Sequence, residues 1–381
     1  MVKYNKMFSK KIFKDYIFPV ATISGAIVGV GFFSLPYIAS KVGIWLMLFY
    51  FIVLTFLVVA MHLIFGEISL KTPDFKRLPG FVKYHLGKWP SRVSLITSTA
   101  GLFGLLLVYL VVGSSFLTNI FSPKFGGTQF HYALIYFCVA VTVIYLGIRV
   151  ISKVELAVIC FLLVSLIFIF LKSFSQIKFQ NILLPGTESG ILSLFLPYGP
   201  IIFSLWGAGI IPETEELLGK SKKTIKKVIV IATLIPAIIY ILFTVGVLSI
   251  SGNQTTESAF LGLESFLGSG VVSVGFLLGA ITTFVGFVIS GLTLKKVLMY
   301  DLKIKQFPAL IITCSVPLIL FLLGLNSFIY LISFMGGVLF GIEGIFILLM
   351  YKKIGGKKFI IFPLTLVFVF GIIYQLVYFI K

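Results

Sequence analysis

The sequence is short of charge, and shortest of acids. Charged residues make up 11% of its 381, with 12 Asp and Glu against 31 Lys and Arg, and only three histidines. A soluble domain carries about 25% charge, so a water-exposed globular fold is excluded. The few acids and histidines are widely scattered, which argues against a membrane-embedded enzyme such as a lipid-modifying transferase, whose chemistry needs Asp, His or Arg clustered near one leaflet. No pore-repeat or ring-forming segment is visible, which argues against an ion channel. The three cysteines, Cys138, Cys160 and Cys314, are odd in number and lie in apolar spans. They read as small core residues, neither a disulfide framework nor a metal site. His62, His85 and His131 show no metal-ligand spacing, and only His62 falls well inside a span.

What is abundant is apolar. Hydrophobic residues reach 59%, in continuous rather than alternating runs, so the chain is a helical integral membrane protein and not a barrel. The N-terminus is basic and then apolar, but its apolar stretch is too long for a signal peptide and more spans follow, so it reads as an uncleaved first helix. Candidate helices fall at about 16–39, 44–70, 93–120, 130–148, 154–171, 191–211, 228–250, 270–294, 309–324, 327–350 and 359–380. That makes about eleven spans, each near the ~20 residues a bilayer requires.

The basic residues test this division. With the N-terminus placed in the cytoplasm, every Lys and Arg except Lys41, Lys124, Lys172, Lys178 and Lys381 falls in the N-terminal arm or in alternate loops. That is the positive-inside pattern. It accounts for the formal charge of +19 without a nucleic-acid partner, and it puts the C-terminus outside.

Two stretches break the helical pattern. In the first span, Ser24-Gly-Ala-Ile-Val-Gly-Val-Gly-Phe-Phe-Ser-Leu-Pro36 holds three glycines within seven residues, each costing about 1 kcal/mol relative to alanine in a helix. Such a weakened helix suits an unwound segment lining a cavity, where freed N–H and C=O groups hold a ligand. Close helix packing through Gly25-x-x-x-Gly29 is the other reading. The sixth span repeats the pattern in Phe203-Ser-Leu-Trp-Gly-Ala-Gly-Ile-Ile-Pro-Glu213. Paired interrupted helices at corresponding positions of two halves point to the central site of a transporter.

From these motifs, and from Ala280-Ile-Thr-Thr-Phe-Val-Gly286 with Gly291 and Asp301 beyond, the chain resembles the amino acid–polyamine–organocation superfamily. Within it the resemblance is to the amino acid/auxin permease branch, which includes bacterial tryptophan and tyrosine permeases. It implies an all-α fold of two inverted five-helix repeats, 16–171 and 191–350. A cytoplasmic arm 1–15, an external loop 172–190, and a cytoplasmic loop with an extra helix 351–381 complete the chain. It also implies secondary active transport by alternating access in the cell membrane, as symport or exchange. Divalent-metal relatives place acidic and sulfur ligands at the two breaks; this chain has neither.

The residues fit a zwitterion. A carboxylate and an ammonium are costly to desolvate unless paired or well hydrogen-bonded. Free N–H groups at Gly29, Val30 and Gly31 begin a half-helix and suit the carboxylate, and Gly31→Leu should fill its place. Free carbonyls at Phe203 and Ser204 suit the ammonium. No Asp, Glu, Lys or Arg lies in either break, and Ala26, Ile27, Gly207 and Ala208 are small or apolar, so a neutral, apolar or aromatic amino acid is expected. Tyr109 can reach the carboxylate or simply pack. Trp206 resembles the aromatic gate of related antiporters, or is a packing aromatic. Glu67, Glu155 and Glu343 read as inner-gate ion-pair residues in preference to proton relays, as do Glu213, Glu215 and Glu216 beside Lys220, Lys222 and Lys223.

For the coupling ion, Gly279, Thr282 and Thr283 stand at i, i+3 and i+4 and share one helical face. With the freed carbonyls of Gly25 and Val28 they make five oxygens, and the set resembles the sodium site of many transporters of this fold. Phe32 occupies the place where a second sodium site needs a polar residue, so one sodium is expected. Threonines bonding back to their own helix are the plainer reading. Proton-coupled relatives use a lysine from the fifth span, for which Lys153 is the candidate, so proton symport or exchange is the alternative. No other cofactor and no obligatory protein partner is expected beyond the amino acid and the bilayer.

Overall fold

Glycine and proline set where the helices stop. The computed structural model describes residues 16–74, 76–146, 164, 166–212, 218 and 222–380. The basic arm, most of the expected fifth span, Lys153, Glu155, Cys160, Glu213, Glu215, Glu216, Lys220 and Lys381 lie outside these. The described residues contain helices and no strand. They are α1 (Phe18–Ile27), α2 (Leu35–Val42), α3 (Ile44–Leu70), α4 (Leu78–Leu86), α5 (Lys88–Phe125), α6 (Gln129–Leu146) and α7 (Leu166–Gln176). Then come α8 (Tyr198–Leu205), α9 (Lys222–Ser251), α10 (Phe260–Leu267), α11 (Ser269–Tyr300) and α12 (Gln306–Leu322). The last are α13 (Phe328–Phe334), α14 (Phe340–Lys353) and α15 (Lys358–Ile380).

Eight helical segments among the described residues are long and apolar enough to cross a membrane, and a ninth crossing is the first span, bent by 52° between α1 and Val30–Val42. The protein is therefore a multi-pass membrane protein. Gly43, at φ 83°, turns the chain between α2 and α3, and Gly87, at φ 96°, between α4 and α5. Both angles lie where residues with a Cβ are disfavoured. At 38 residues, α5 is about 57 Å long, well beyond a hydrocarbon core of about 30 Å.

The core is built where backbones approach. A Cβ at Gly286 of α11 would lie 2.5 Å from the Tyr109 ring, and one at Gly291 would lie 2.5 Å from Ile144. Without a hydrophobic drive between helices in lipid, such small-residue contacts carry the packing. Every residue of α8 is buried, which places the first half of the sixth span at the centre. Of α15 only Phe368, Gly371 and Gln375 are buried. Spaced by three and four, they form one stripe, while Phe359, Phe362, Phe370 and Ile380 are exposed on the outer side.

Contacts sort the loops onto two ends. Arg77 meets Asp301 at 3.4 Å, and Lys71 Nζ donates to Ile354 O at 3.4 Å, which joins three of the basic loops. At the other end Lys41 meets Glu188 at 3.3 Å, and the amides of Thr187 and Glu188 donate to Ser40 O and Lys41 O. This is the grouping that the count of basic residues predicts.

Candidate functional site

Both glycine-rich stretches are broken helices in the structure. The first span leaves α-helical geometry at Val28 (ψ 92°) and Gly29, runs through a 3-10 turn over Val30–Ser34, and resumes as α2. The sixth ends at Leu205, passes Trp206 and Gly207 in non-helical conformation, and resumes as a turn over Ala208–Ile210. These breaks release amides and carbonyls that a continuous helix would have paired.

The two breaks touch. A Cβ on Gly31 would stand 2.5 Å from Ser204 Oγ and 2.7 Å from the Phe203 ring, and one on Gly207 would stand 2.5 Å from Ile27 Cγ1. Around Gly29 there is more room, since a Cβ there would lie 3.6 Å from Tyr109 Oη and no closer to anything but its own chain. Ile27, Gly29, Gly31, Tyr109, Phe203, Ser204 and Gly207 are thus gathered into one locus, with Val30 and Ala208 buried beside them. The position expected to take a carboxylate at Gly31 is as tight as that at Gly207 and leaves no open space.

One side chain joins both breaks, and sequence reading missed it. Tyr240 of α9 is fully buried, and its hydroxyl donates to Ile27 O at 3.0 Å and to Ser204 O at 3.2 Å. Ser204 O is thus not idle, but a carbonyl oxygen has two lone pairs, so it keeps capacity for an ammonium. Phe32 stacks on Tyr240 with ring centroids 5.4 Å apart, and Phe33, Phe116, Phe243 and Phe260 continue an aromatic cluster beside it.

The sixth break is held from two further sides. His62 of α3, fully buried, accepts the Gly207 amide at Nε2 (3.1 Å), and its Nδ1 lies 3.0 Å from Thr233 Oγ1. Because Nε2 accepts, the proton of the neutral ring sits on Nδ1 and is donated to Thr233, whose own hydroxyl donates to Ile229 O at 2.9 Å. The Trp206 indole donates to Glu343 Oε2 at 3.1 Å and stacks on Phe340 at 5.8 Å, with Phe203 stacked on the same ring at 6.0 Å. Glu343 also accepts from Ser98 Oγ at 3.0 Å. Its partners are thus a hydroxyl and an indole, not the cation an inner-gate ion pair requires. Glu67 pairs with Lys71 on its own helix at 3.1 Å.

The expected sodium ligands lie on two elements, Gly25 and Val28 at the end of the first half-helix and Gly279, Thr282 and Thr283 on α11. Thr282 Oγ1 donates to Leu278 O at 2.8 Å, and Thr283 Oγ1 donates to Gly279 O and Ala280 O at 2.9 Å. Gly279 faces Phe116, and Thr283 faces Gly113, both on α5. Gly25 is buried at the end of α1, and the Val28 amide donates to Ser24 O at 2.9 Å. Bonding back to the helix aims the hydroxyl protons away and leaves oxygen lone pairs, which is the state a cation would need. Among the described residues no cluster of His, Cys, Asp and Glu could hold a metal ion.

At the lysine-poor end a cavity of about 590 Å³ opens between Tyr37, Lys41, Glu188, Glu257, Tyr330 and Tyr378. Burial pushes the Glu257 carboxyl up, against the opposing pull of Lys41. Lys41 also lies over the Tyr37 ring at 5.2 Å, so this mouth offers charge of both signs beside aromatic rings.

Comparison with known proteins agrees with this architecture. Among solved structures the chain is similar to MHP1, a nucleobase-cation-symport-1 family transporter, in a closed conformation with bromovinylhydantoin bound. That match has 13% identity and a TM-score of 0.65 over 94% of this chain and 90% of that one. It is also similar to MhsT in complex with L-phenylalanine, at 14% identity and a TM-score of 0.62 over 95% and 97% of the two chains. At such identities the likeness is one of fold. A search of curated proteins found no match. The sequence itself matches the tryptophan/tyrosine permease family over residues 14–377, nearly its whole length. A secondary transporter rather than an enzyme, the chain belongs to the tryptophan/tyrosine permease family.

Proposed function

We propose that this transporter carries neutral, apolar or aromatic amino acids by alternating access, with the substrate held between the two broken helices. The observation that carries this reading is the meeting of the two breaks, whose freed backbone groups converge with no charged side chain in either one. The Gly29 amide beside Tyr109 suits a carboxylate, and the Ile27 and Ser204 carbonyls suit an ammonium. A Lys or Glu substrate would leave an unpaired charge in this lining. Counterflow of each of the twenty radiolabelled amino acids in proteoliposomes tests it. Phe, Tyr, Trp or the branched aliphatic amino acids should exchange, and exchange of cationic amino acids alone would overturn the reading.

For coupling, Gly25, Val28, Gly279, Thr282 and Thr283 are proposed to hold one sodium ion, since the threonine hydroxyls turn their lone pairs outward from their own helix. Replacing sodium by choline at fixed pH should then stop uptake, and Thr282→Ala with Thr283→Ala should weaken the sodium dependence. The second reading, coupling to a proton, is favoured by the half-buried Glu343, which bonds to a hydroxyl and an indole and to no cation among the described residues. Uptake that ignores sodium and collapses with a protonophore would select it. The lysine-rich loops are placed in the cytoplasm.

A further inference from the structure

The Trp206–Gly207 hinge is gripped by two titratable side chains. His62 takes the Gly207 amide, and Glu343 takes the Trp206 indole. The His62 grip is that of a neutral ring, fixed by its bond to Thr233. The Glu343 grip depends on charge. An ionised carboxylate only accepts, and it meets two donors, the Ser98 hydroxyl on Oε1 and the indole N–H on Oε2. An indole N–H can never accept. A proton on Oε2 makes that oxygen a poor acceptor for the indole, and a proton on Oε1 does the same towards Ser98 and weakens the remaining bond by removing its charge.

We propose that Glu343 is a proton-binding group of this transporter, and that protonation of its carboxylate releases the Trp206 side of the sixth-span hinge. The step is a single proton taken from water onto the carboxylate. The indole bond opens as it arrives, and the proton returns to water when the bond re-forms. Nothing nearby would stand in for that proton. No described Lys, Arg or His pairs with Glu343. On α3, Glu67 and Lys71 bond to each other, and His62 faces the Trp206 ring at 6.1 Å. On α4, His85 lies 2.8 Å from the Thr72 hydroxyl and Lys83 sits in the same last turn. The cations of α5 near this level, Lys88 and Arg92, begin the helix, while Lys352 and Lys353 end α14 and Lys358 begins α15. The face that α15 turns to Trp206 is Phe368. A half-buried acid within a membrane protein, with no counter-charge among the described residues and bonded to a hinge, is the arrangement expected of a coupling or gating proton site.

The proposal rests on the transporter reading but can be tested apart from it. The sequence has three tryptophans, and Trp45 and Trp89 are exposed and take no part in the hinge's hydrogen bonds. With Trp45→Phe and Trp89→Phe, Trp206 becomes the sole fluorophore of the full-length protein in proteoliposomes. Its emission, titrated without any amino acid between about pH 4 and 9, should show one transition that is absent in Glu343→Gln and displaced by about half a unit or more in Ser98→Ala. Uptake of L-phenylalanine across the same range should vary about fivefold or more in the parent and less than about twofold in Glu343→Gln. A flat parent titration, or a transition that Glu343→Gln retains, overturns the proposal. If Glu343→Gln does not fold, an undisplaced transition in Ser98→Ala overturns it. A titrating Trp206 in a protein that exchanges no amino acid would support the proton site and sink the substrate reading instead.

Discussion

Tyr240 has one hydroxyl proton, and two carbonyls from different helices share it. Tyr240→Phe keeps the ring stacked on Phe32 and removes both bonds, leaving buried acceptors that cost about 1–3 kcal/mol. The expected result is a lower melting temperature and a raised KM; a KM unchanged at full expression would show that the phenol only packs. His62→Phe is expected to cost a similar amount by orphaning the Gly207 amide, measurable as lost thermal stability in detergent, whereas His62→Gln should recover part of it. These two residues show where sequence reading ends. His62 was visible as the only histidine well inside a span, and Tyr240 as one aromatic among many. Their partners lie 145 and 213 positions away, and no local spacing encodes such a contact.

The elements were more legible. Ile44–Leu70 matches the predicted span end to end, because Gly43 and a lysine bound an unbroken apolar run. Both interruptions fell where the glycines put them. Hidden from the sequence was the turn of π-helix over Met335–Leu339, where a Cβ on Gly336 would collide with the backbone of Gly199. Glycines at an ordinary packing face and glycines at a π turn look the same in one chain. The breaks also separate two roles that sequence reading merged. Gly31 is a contact between helices, so Gly31→Leu should lower expression and melting temperature along with transport, rather than silencing a folded protein. Gly29 has φ −118° and room for a methyl 3.6 Å from Tyr109 Oη, so Gly29→Ala should fold normally and, since it keeps the amide N–H, should raise KM only by crowding a carboxylate bound in that space. Wild-type KM in Gly29→Ala would show that the substrate does not occupy the space beside Tyr109.

At the scale of the whole molecule, the count of basic residues anticipated which loops share an end, because positive charge is retained on one side of the membrane during insertion. The arrangement predicts opposite labelling of two exposed positions in a cysteine-free background. Gln254→Cys, beside the lysine-poor cavity, should react with an impermeant maleimide added outside cells, and Lys305→Cys only after permeabilisation. The reverse pattern would invert the membrane orientation. The mouth chemistry at Lys41, Glu188 and Glu257 was not legible at all, since loops far apart in sequence assemble it.

The last helix also sets the protein's relation to its solvent. Of α15 only a stripe turns inward, and that stripe touches the sixth span directly: Gly371 abuts Tyr198, and the Phe368 ring stands edge-on to Trp206 at 6.1 Å. Exposed residues such as Phe362, Phe370 and Ile380 are left to meet acyl chains. A bilayer thinner or thicker than the helix requires it to tilt, at fractions of a kcal/mol per Å of mismatch. Tilt would be felt first at Tyr198 and Trp206, at the start and just past the end of α8. Transport in vesicles of graded acyl length should therefore pass through an optimum, and the lipid becomes a setting of the hinge as much as its surroundings.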